Sequence, residues 1–147
     1  MDLKDYIRSI KDYPKKGILF RDITTLIKNE TAFEETINQI VERSKKFKVD
    51  KIAAIESRGF VFASAVSYIL KKPFIMLRKK NKLPADVHSV DFELEYGTAT
   101  IEVHKDSISQ NDSVLIIDDL IATGGTAEAA AKLIEVSEGN VAAFIFV

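Results

Sequence analysis

The chain has 147 residues, of which 46% are hydrophobic and 29% charged, and its 21 basic and 22 acidic side chains leave a net charge of −1. This composition predicts a single compact domain, while the absence of cysteine excludes disulfides and the weak net charge does not favour binding to nucleic acid. No apolar run approaches the roughly 18 residues of a membrane span and the first residues lack a secretion signal, so we expect a cytoplasmic protein without a membrane partner.

The first third of the chain is predicted to contain two amphipathic helices. Apolar side chains recur at helical spacing over residues 2–12, which predicts a helix that ends before Pro14. A second helix is predicted to run through residue 47 and to begin at Thr31, because Thr31 and Glu34 have the spacing of a capping box.

The middle of the chain is predicted to alternate strands and a helix. Short apolar runs predict strands at 51–55 and 73–77, and the apolar, alanine-containing segment 60–70 predicts a helix between them. Farther along, alternating apolar and polar residues predict two antiparallel strands at 92–96 and 101–103.

The last third begins with the strongest strand signal. Residues 114–117 are apolar and mostly β-branched, which predicts a strand buried on both faces, as in a parallel sheet covered by helices. A helix over 126–137 and a strand over 141–147 follow. No linker or repeat interrupts the series, so we predict one α/β domain with a mostly parallel central sheet.

The segment after this buried strand has the chemistry of a sugar-phosphate site. Asp118 and Asp119 come directly after the strand, and two ionised carboxylates suit a vicinal diol, which donates two hydrogen bonds. The loop 123–126 can turn several backbone N–H groups toward a phosphate at the start of the next helix. Both groups together describe a phosphorylated ribose. The alternative is that the two acids cap a turn that the glycines close.

The segment 114–126 resembles the 5-phosphoribosyl 1-pyrophosphate (PRPP) motif of the type I phosphoribosyltransferases, in which apolar residues precede two acids and a Thr-Gly-Gly-Thr loop. Four more segments, in the same order, are similar to those of the adenine phosphoribosyltransferases within that family, namely 14–23, 56–60, 78–84 and 93–97. The resemblance implies a mostly parallel sheet flanked by helices, with a flexible loop and with a hood and base-recognition segment over residues 1–30 before a core over 31–147.

The resemblance also implies an activity, purine salvage, in which PRPP and adenine give AMP and pyrophosphate. Asp118 and Asp119 would hold the ribose diol and favour positive charge on the sugar. The loop that would anchor the 5′-phosphate consists of Ala122, Thr123, Gly124, Gly125 and Thr126. Mg²⁺ would be carried mainly by the pyrophosphate, with no direct protein ligand, and the protein would form a homodimer.

Two cationic segments are implied to bind pyrophosphate. Arg58 follows the strand 51–55, and its guanidinium can bind two phosphate oxygens at once. Four cations lie within five positions after the strand 73–77, and the resemblance assigns Arg78, Lys79 and Lys82 to the site. Which of the loop lysines points inward is left open. The alternatives are a surface arginine beside a glycine and an ordinary solvated charge run.

Base recognition and proton transfer are assigned from the resemblance alone. The backbone at Leu19 and Arg21 would read the purine edge, with Leu120 against its face. Glu95 would accept or return a proton of the purine ring, and Tyr96 would close the site. The alternatives are a short core segment around Leu19 and an exposed acidic strand face around Glu95.

Other functions remain open at this point. One is a phosphoribosyltransferase for hypoxanthine, guanine or xanthine, and another is a PRPP-binding regulator without activity. A nucleotide triphosphatase is disfavoured, because no Gly-x-x-x-x-Gly-Lys motif accompanies the acids. The family pattern continues past Val147, so we expect the chain to be short at this end, which would bear on stability, oligomer contacts and activity.

Overall fold

The computed structural model describes residues 1–94, 96–121 and 124–147. They form two compact units, Met1–Ile40 and Val41–Val147. Within the described ranges, no helix combines the length and the apolar character that crossing a bilayer requires.

The first unit contains a two-stranded antiparallel sheet in which Ile10 pairs with Phe20. The helix α2 starts in this unit and continues into the second. In chain order the elements are a 3₁₀ turn (Leu3–Tyr6), β1 (Arg8–Lys11), β2 (Leu19–Asp22), α1 (Thr24–Ile27) and α2 (Glu30–Ser44).

The predicted helix over residues 2–12 is wrong. Only the 3₁₀ turn follows the helical spacing, because the backbone is extended from Ile7 onward and β1 pairs with β2. The side chain of Arg8 donates two hydrogen bonds to the Asp22 carboxylate, of 3.1 and 2.5 Å. Pairing with a segment farther along the chain therefore overrides the local periodicity.

The predicted start of the second helix is also wrong. Helix α2 begins at Glu30, and the Asn29 side chain accepts a hydrogen bond of 2.9 Å from the backbone N–H of Ala32. Asparagine is a better N-cap than threonine, so the cap lies two residues before Thr31, which is inside the helix. The helix ends at Ser44, three residues before the predicted end.

The second unit is a six-stranded sheet with helices. Four neighbouring strands are parallel, and an antiparallel hairpin extends the sheet beside β4. The spatial order is β5-β6-β4-β3-β7-β8. The elements are β3 (Lys51–Ile55), α3 (Arg58–Leu70), β4 (Phe74–Lys79), β5 (Val87–Glu93), β6 (Thr98–His104), β7 (Ser113–Asp118), α4 (Gly125–Val136) and β8 (Asn140–Phe146). The predicted α/β class and mostly parallel sheet are confirmed.

The core explains why a functional site lies at one edge of this sheet. Ala53 and Ile55 of β3 join a buried cluster with Leu133 and Ile134 of α4, while α3 contacts β3 and β7. Helices on a parallel sheet leave its carboxyl edge open, where the loops after β3 and β7 meet.

Candidate active site

A cavity of about 530 Å³ opens at the carboxyl ends of β3, β7 and β8. Its walls combine acidic, basic and apolar side chains with the first turn of α4. The described residues that line it are Ile55, Glu56, Ser57, Arg58, Lys79, Asp118, Asp119, Leu120, Ile121, Gly124, Thr126, Ala127 and Phe146. Of the predicted site residues, Arg58, Lys79, Asp118, Asp119, Leu120, Gly124 and Thr126 therefore share one cavity.

The two acids at the end of β7 make different contacts. The carboxylate of Asp119 is only 8% exposed and lies 2.9 Å from Nε of Arg58, whose own side chain is 44% exposed. Asp118 accepts a hydrogen bond of 2.8 Å from the backbone N–H of Asp119. The loop after β3 and the end of β7 are thus joined by an ion pair inside the cavity.

The pKa of Asp118 is raised, although the positive charge of Arg58 opposes the rise. Burial raises the pKa of Asp118 to about 7, and the hydrogen bond and negative charge of the adjacent Asp119 carboxyl add to that rise. In the protein alone, Asp118 therefore holds its proton to a higher pH than an ordinary aspartate does. A positively charged group placed beside the pair would stabilise the carboxylate form.

Close packing behind Asp118 depends on Gly59, in the first turn of α3. A Cβ atom added at Gly59 would lie 3.1 Å from Oδ1 of Asp118 and 3.1 Å from the carbonyl oxygen of Ile117. Any larger residue would press on the acid. A glycine here lets the loop that carries Arg58 approach the end of β7.

The start of α4 provides the opposite electrostatic character. Gly124 is its N-cap, has a φ of +88° and brings no capping side chain, while Thr126 and Ala127 line the cavity. The N-terminus of a helix carries partial positive charge from its backbone N–H groups and favours an anion. The cavity therefore has an acidic wall and an anion-binding wall.

The structure identifies Lys79 as the lysine of its segment that lines the cavity. Its backbone N–H donates a hydrogen bond of 2.7 Å to Oε1 of Glu56, and Nε of Arg78 lies 3.4 Å from the same oxygen. Neither Arg78 nor Lys82 belongs to the cavity lining among the described residues. Asn81 has a left-handed φ of +67°, which asparagine tolerates.

Other predicted site residues lie elsewhere. Leu19 and Arg21 belong to the first unit, where the Arg21 side chain contacts the Ser9 hydroxyl. Gly125 lines a second cavity, together with Glu128 and Lys132, and Tyr96 is 80% exposed. Glu95, Ala122 and Thr123 lie outside the described residues.

Six described residues that line the cavity were not predicted as site residues, namely Ile55, Glu56, Ser57, Ile121, Ala127 and Phe146. Glu56 follows β3 as directly as Asp118 ends β7, so the rule that found Asp118 also indicates Glu56. Phe146 is opposite Asp118 in the parallel register of β7 and β8, and Ile121 extends the apolar wall beside Leu120. The position of a residue at the carboxyl end of a predicted parallel strand would have indicated Glu56 and Phe146 as residues of the cavity.

The described residues do not fit a metal site made by the protein. They contain no group of three or more histidine, aspartate or glutamate side chains placed to share an ion. Asp119 is paired with Arg58, and the pKa of Asp118 is raised, so its carboxylate form is disfavoured. Mg²⁺ prefers charged oxygen ligands, so this pair is a poor cage for it.

Known proteins resemble the chain along nearly all of its length. A model of the phosphoribosyl transferase domain matches residues 22–145. An adenine phosphoribosyltransferase of Pelagibacter ubique is 84% identical over 146 residues, which are 99% of this chain and 83% of the relative. The crystal structure of the adenine phosphoribosyltransferase of Thermoanaerobacter pseudethanolicus superposes with a TM-score of 0.94 at 46% identity, covering 98% of this chain and 84% of that one.

A third protein is similar and has been solved with ligands. It is the adenine phosphoribosyltransferase of Saccharomyces cerevisiae, complexed with adenine and an imino-altritol bisphosphate. It is 36% identical with a TM-score of 0.93, covering 99% of this chain and 85% of that chain.

Proposed function

The chain belongs to the adenine phosphoribosyltransferase family, and we propose that it transfers the 5-phosphoribosyl group of PRPP to adenine in purine salvage, forming AMP and releasing pyrophosphate. One observation carries the proposal: an acid pair, a helix N-terminus and two cations line one cavity. A ribose with phosphate groups at both ends presents partners for all of them.

The acid pair would act on the ribose. As the bond from the anomeric carbon to pyrophosphate breaks and the bond to a purine nitrogen forms, positive charge develops on the sugar. Asp118 and Asp119 would hold the diol and stabilise that charge, which is greater in the transition state than in PRPP. The raised pKa of Asp118 supports this role, because a cationic sugar relieves the repulsion between the two carboxyl groups.

The remaining polar walls would hold the two phosphate ends. Gly124, Gly125 and Thr126, with Ala122 and Thr123, would anchor the 5′-phosphate at the start of α4. Arg58, Lys79, Arg78 and Lys82 would receive the leaving pyrophosphate, and stabilising a leaving group by preorganised charge accelerates its departure. For Arg58 and Lys79, the proposal is supported by their place in the lining of the cavity.

Base recognition remains a proposal from the family pattern. Leu120 lines the cavity and offers an apolar surface to a purine face. The backbone of Leu19 and Arg21 would read the adenine edge, and Glu95 would move the ring proton, with Tyr96 beside it. Leu19 is 49% exposed on β2, which leaves it available for a ligand.

Mg²⁺ would enter as part of the substrate, bound to the pyrophosphate of PRPP, and no step is assigned to a metal held by side chains. We also propose a homodimer and a cytoplasmic location, both from the family pattern and composition. Gel filtration with light scattering tests the dimer, since a monomer mass at micromolar concentration would contradict it.

The test of function is a pyrophosphate-release assay with PRPP, Mg²⁺ and a panel of adenine, hypoxanthine, guanine and xanthine. We expect release with adenine and at least a hundredfold less with the other bases, because a site built to hydrogen-bond one base leaves unpaired groups with another. Pyrophosphate release at the same rate with another purine base as with adenine would contradict specificity for adenine. PRPP binding without release for any base would identify a regulator.

A further inference from the structure

The cationic segment that ends β4 and follows it is bonded to acceptors on two other parts of the sheet. We call residues 78–85 the basic turn. Its backbone N–H groups donate at three points, to Glu56, Glu102 and His104. The bond from Asn81 to Oε1 of Glu102 is 2.9 Å, and the bond from Ala85 to Nε2 of His104 is 3.2 Å.

Two of these acceptors lie on one strand. Glu102 and His104 are two residues apart on β6, so their side chains project from the same face of the sheet. The hairpin β5–β6 therefore holds the basic turn, while Glu56, at the end of β3, holds it on the side of the cavity. The turn is thus held at Lys79, at Asn81 and at Ala85.

Glu102 is the buried member of this set, at 6% exposed. Its second oxygen accepts a hydrogen bond of 2.5 Å from the Ser89 hydroxyl. The hydroxyl of Ser89 and the backbone N–H of Asn81 hold the pKa of Glu102 below its usual range, with Lys80 adding a favourable charge. Glu102 is thus a carboxylate at neutral pH and a strong acceptor for the turn.

The residue that Glu102 holds has an unusual backbone. Asn81 has a φ of +67°, a left-handed conformation that few residues other than glycine and asparagine adopt readily. A hydrogen bond from its N–H to a fixed carboxylate selects this conformation from the alternatives. The direction in which the chain continues from Lys79 to Lys82 follows from it.

The burial of a carboxylate at position 102 is not explained by packing alone. Burying a charge costs free energy unless hydrogen bonds satisfy it, and an apolar residue would pack the same volume without that cost. Both oxygens of Glu102 are used, one on β5 and one on the basic turn. Its contacts therefore serve the geometry of the turn.

We propose that Glu102 is a positioning residue that holds the basic turn in the conformation that receives the pyrophosphate end of PRPP. The proposal rests on the function proposed above. Glu102 does not touch the substrate itself, and it acts through Asn81 on the placement of Lys79 and Lys82.

The test compares Glu102→Ala and Glu102→Gln with the wild type. Glu102→Ala is expected to raise KM for PRPP and Kd for inorganic pyrophosphate, measured by calorimetry, about tenfold, with KM for adenine within twofold of wild type. Glu102→Gln keeps an oxygen that accepts from Asn81, so its values should lie between those of the other two proteins. Asp112→Ala is the matched control, because Asp112 also accepts a backbone N–H, from Ser109, away from the basic turn.

Equal KM for PRPP in Glu102→Ala and wild type would overturn the proposal, as would a parallel rise for PRPP and adenine. Should Glu102→Ala fail to fold, Ser89→Ala removes one donor to Glu102 and should raise Kd for pyrophosphate about twofold to threefold, and an unchanged Kd would also count against it. A wild-type protein that binds neither PRPP nor pyrophosphate would instead refute the proposed function.

Discussion

Two carboxylates of the same sheet lie in opposite electrostatic conditions. Glu102 on β6 is almost fully buried, yet two hydrogen-bond donors lower its pKa and keep it charged. The pKa of Asp118 at the end of β7 is raised, first by burial and then by the carboxyl group of Asp119 beside it. Burial therefore raises the pKa of an acid unless hydrogen-bond donors face the carboxylate, as they do at Glu102.

The two acids differ in whether the protein itself supplies the partners that stabilise their carboxylate form. Glu102 has the partners it needs within the protein, which suits a residue that holds a loop in place. Asp118 and Asp119 would gain their best partner from a ligand with diol and cationic character. Substrate binding would thus stabilise the carboxylate form of Asp118, as hydrogen-bond donors of the protein already do for Glu102.

The largest expected effect comes from Asp119→Asn. Loss of its charge would remove transition-state stabilisation and the ion pair with Arg58, so kcat for AMP formation should fall about 10² to 10³-fold. The thermal midpoint should change little. An Asp119→Asn protein with wild-type steady-state activity would contradict a catalytic role for the pair, and Asp112→Asn is the control for loss of an acid elsewhere.

Gly59→Ala tests whether Asp118 needs close packing behind it. The new Cβ would meet Oδ1 of Asp118 and the Ile117 carbonyl oxygen at 3.1 Å, so we expect a loss of about 1–2 kcal/mol in the free energy of unfolding and about tenfold in kcat. Urea denaturation and steady-state kinetics measure the two effects. Ser64→Ala, at an exposed position of α3, should change neither. Wild-type kinetics in Gly59→Ala would show that the contact does not constrain Asp118.

Asp118→Asn measures how much the charged Asp118 carboxylate lowers the free energy of unfolding. Because the folded pKa of about 7 exceeds the ordinary value of 3.8, the folded state holds its proton longer than the unfolded state, and wild-type stability falls as pH rises from about 4 to about 7. The variant should be more stable than wild type at pH 8, by about 1 kcal/mol after allowance for solvent screening, and similar at pH 4. A constant difference across pH would show that the raised pKa is not the cause.

Asp22→Asn gives the smallest expected effect and extends the comparison to the first unit. Hydrogen bonds from Arg8 and Thr24 lower the pKa of Asp22 to about 2, so its carboxylate stabilises the fold above about pH 4 and that contribution is lost as pH falls toward 2. The melting temperature of Asp22→Asn should be slightly below wild type at pH 7, and the two should converge near pH 2. Equal melting temperatures at pH 7 would refute the contribution.

The part of the site that sequence predicts best is the part that is local in sequence. The strand 113–118, the acids at its end and the following helix form one continuous pattern of residue types, and the structure places them as expected. Arg58 likewise follows a predicted strand closely, and the structure brings it to Asp119. Neither inference required knowledge of a distant contact.

What sequence could not predict depends on partners far along the chain. Glu102 alternates with Ile101 and Val103 and so resembles a solvent-facing position, yet it is buried, and the Ser89 hydroxyl and the backbone N–H of Asn81 converge on its carboxylate. The helix predicted over residues 2–12 is wrong for the same reason, since Arg8 pairs with Asp22. In both cases a nonlocal hydrogen bond outweighs local periodicity.

The central position of β3 has a consequence for how the protein is made. Its parallel pairing with β7 joins segments far apart in the chain, as does the hydrogen bond from Ser113 to Asp50 across 63 residues. Contacts of such long sequence separation form slowly, because much of the chain must be ordered before they can be made. During synthesis, β3 has an open edge until β7 emerges, so the acid pair and its arginine meet only when the sheet closes, and ligand binding is a late indicator of correct folding.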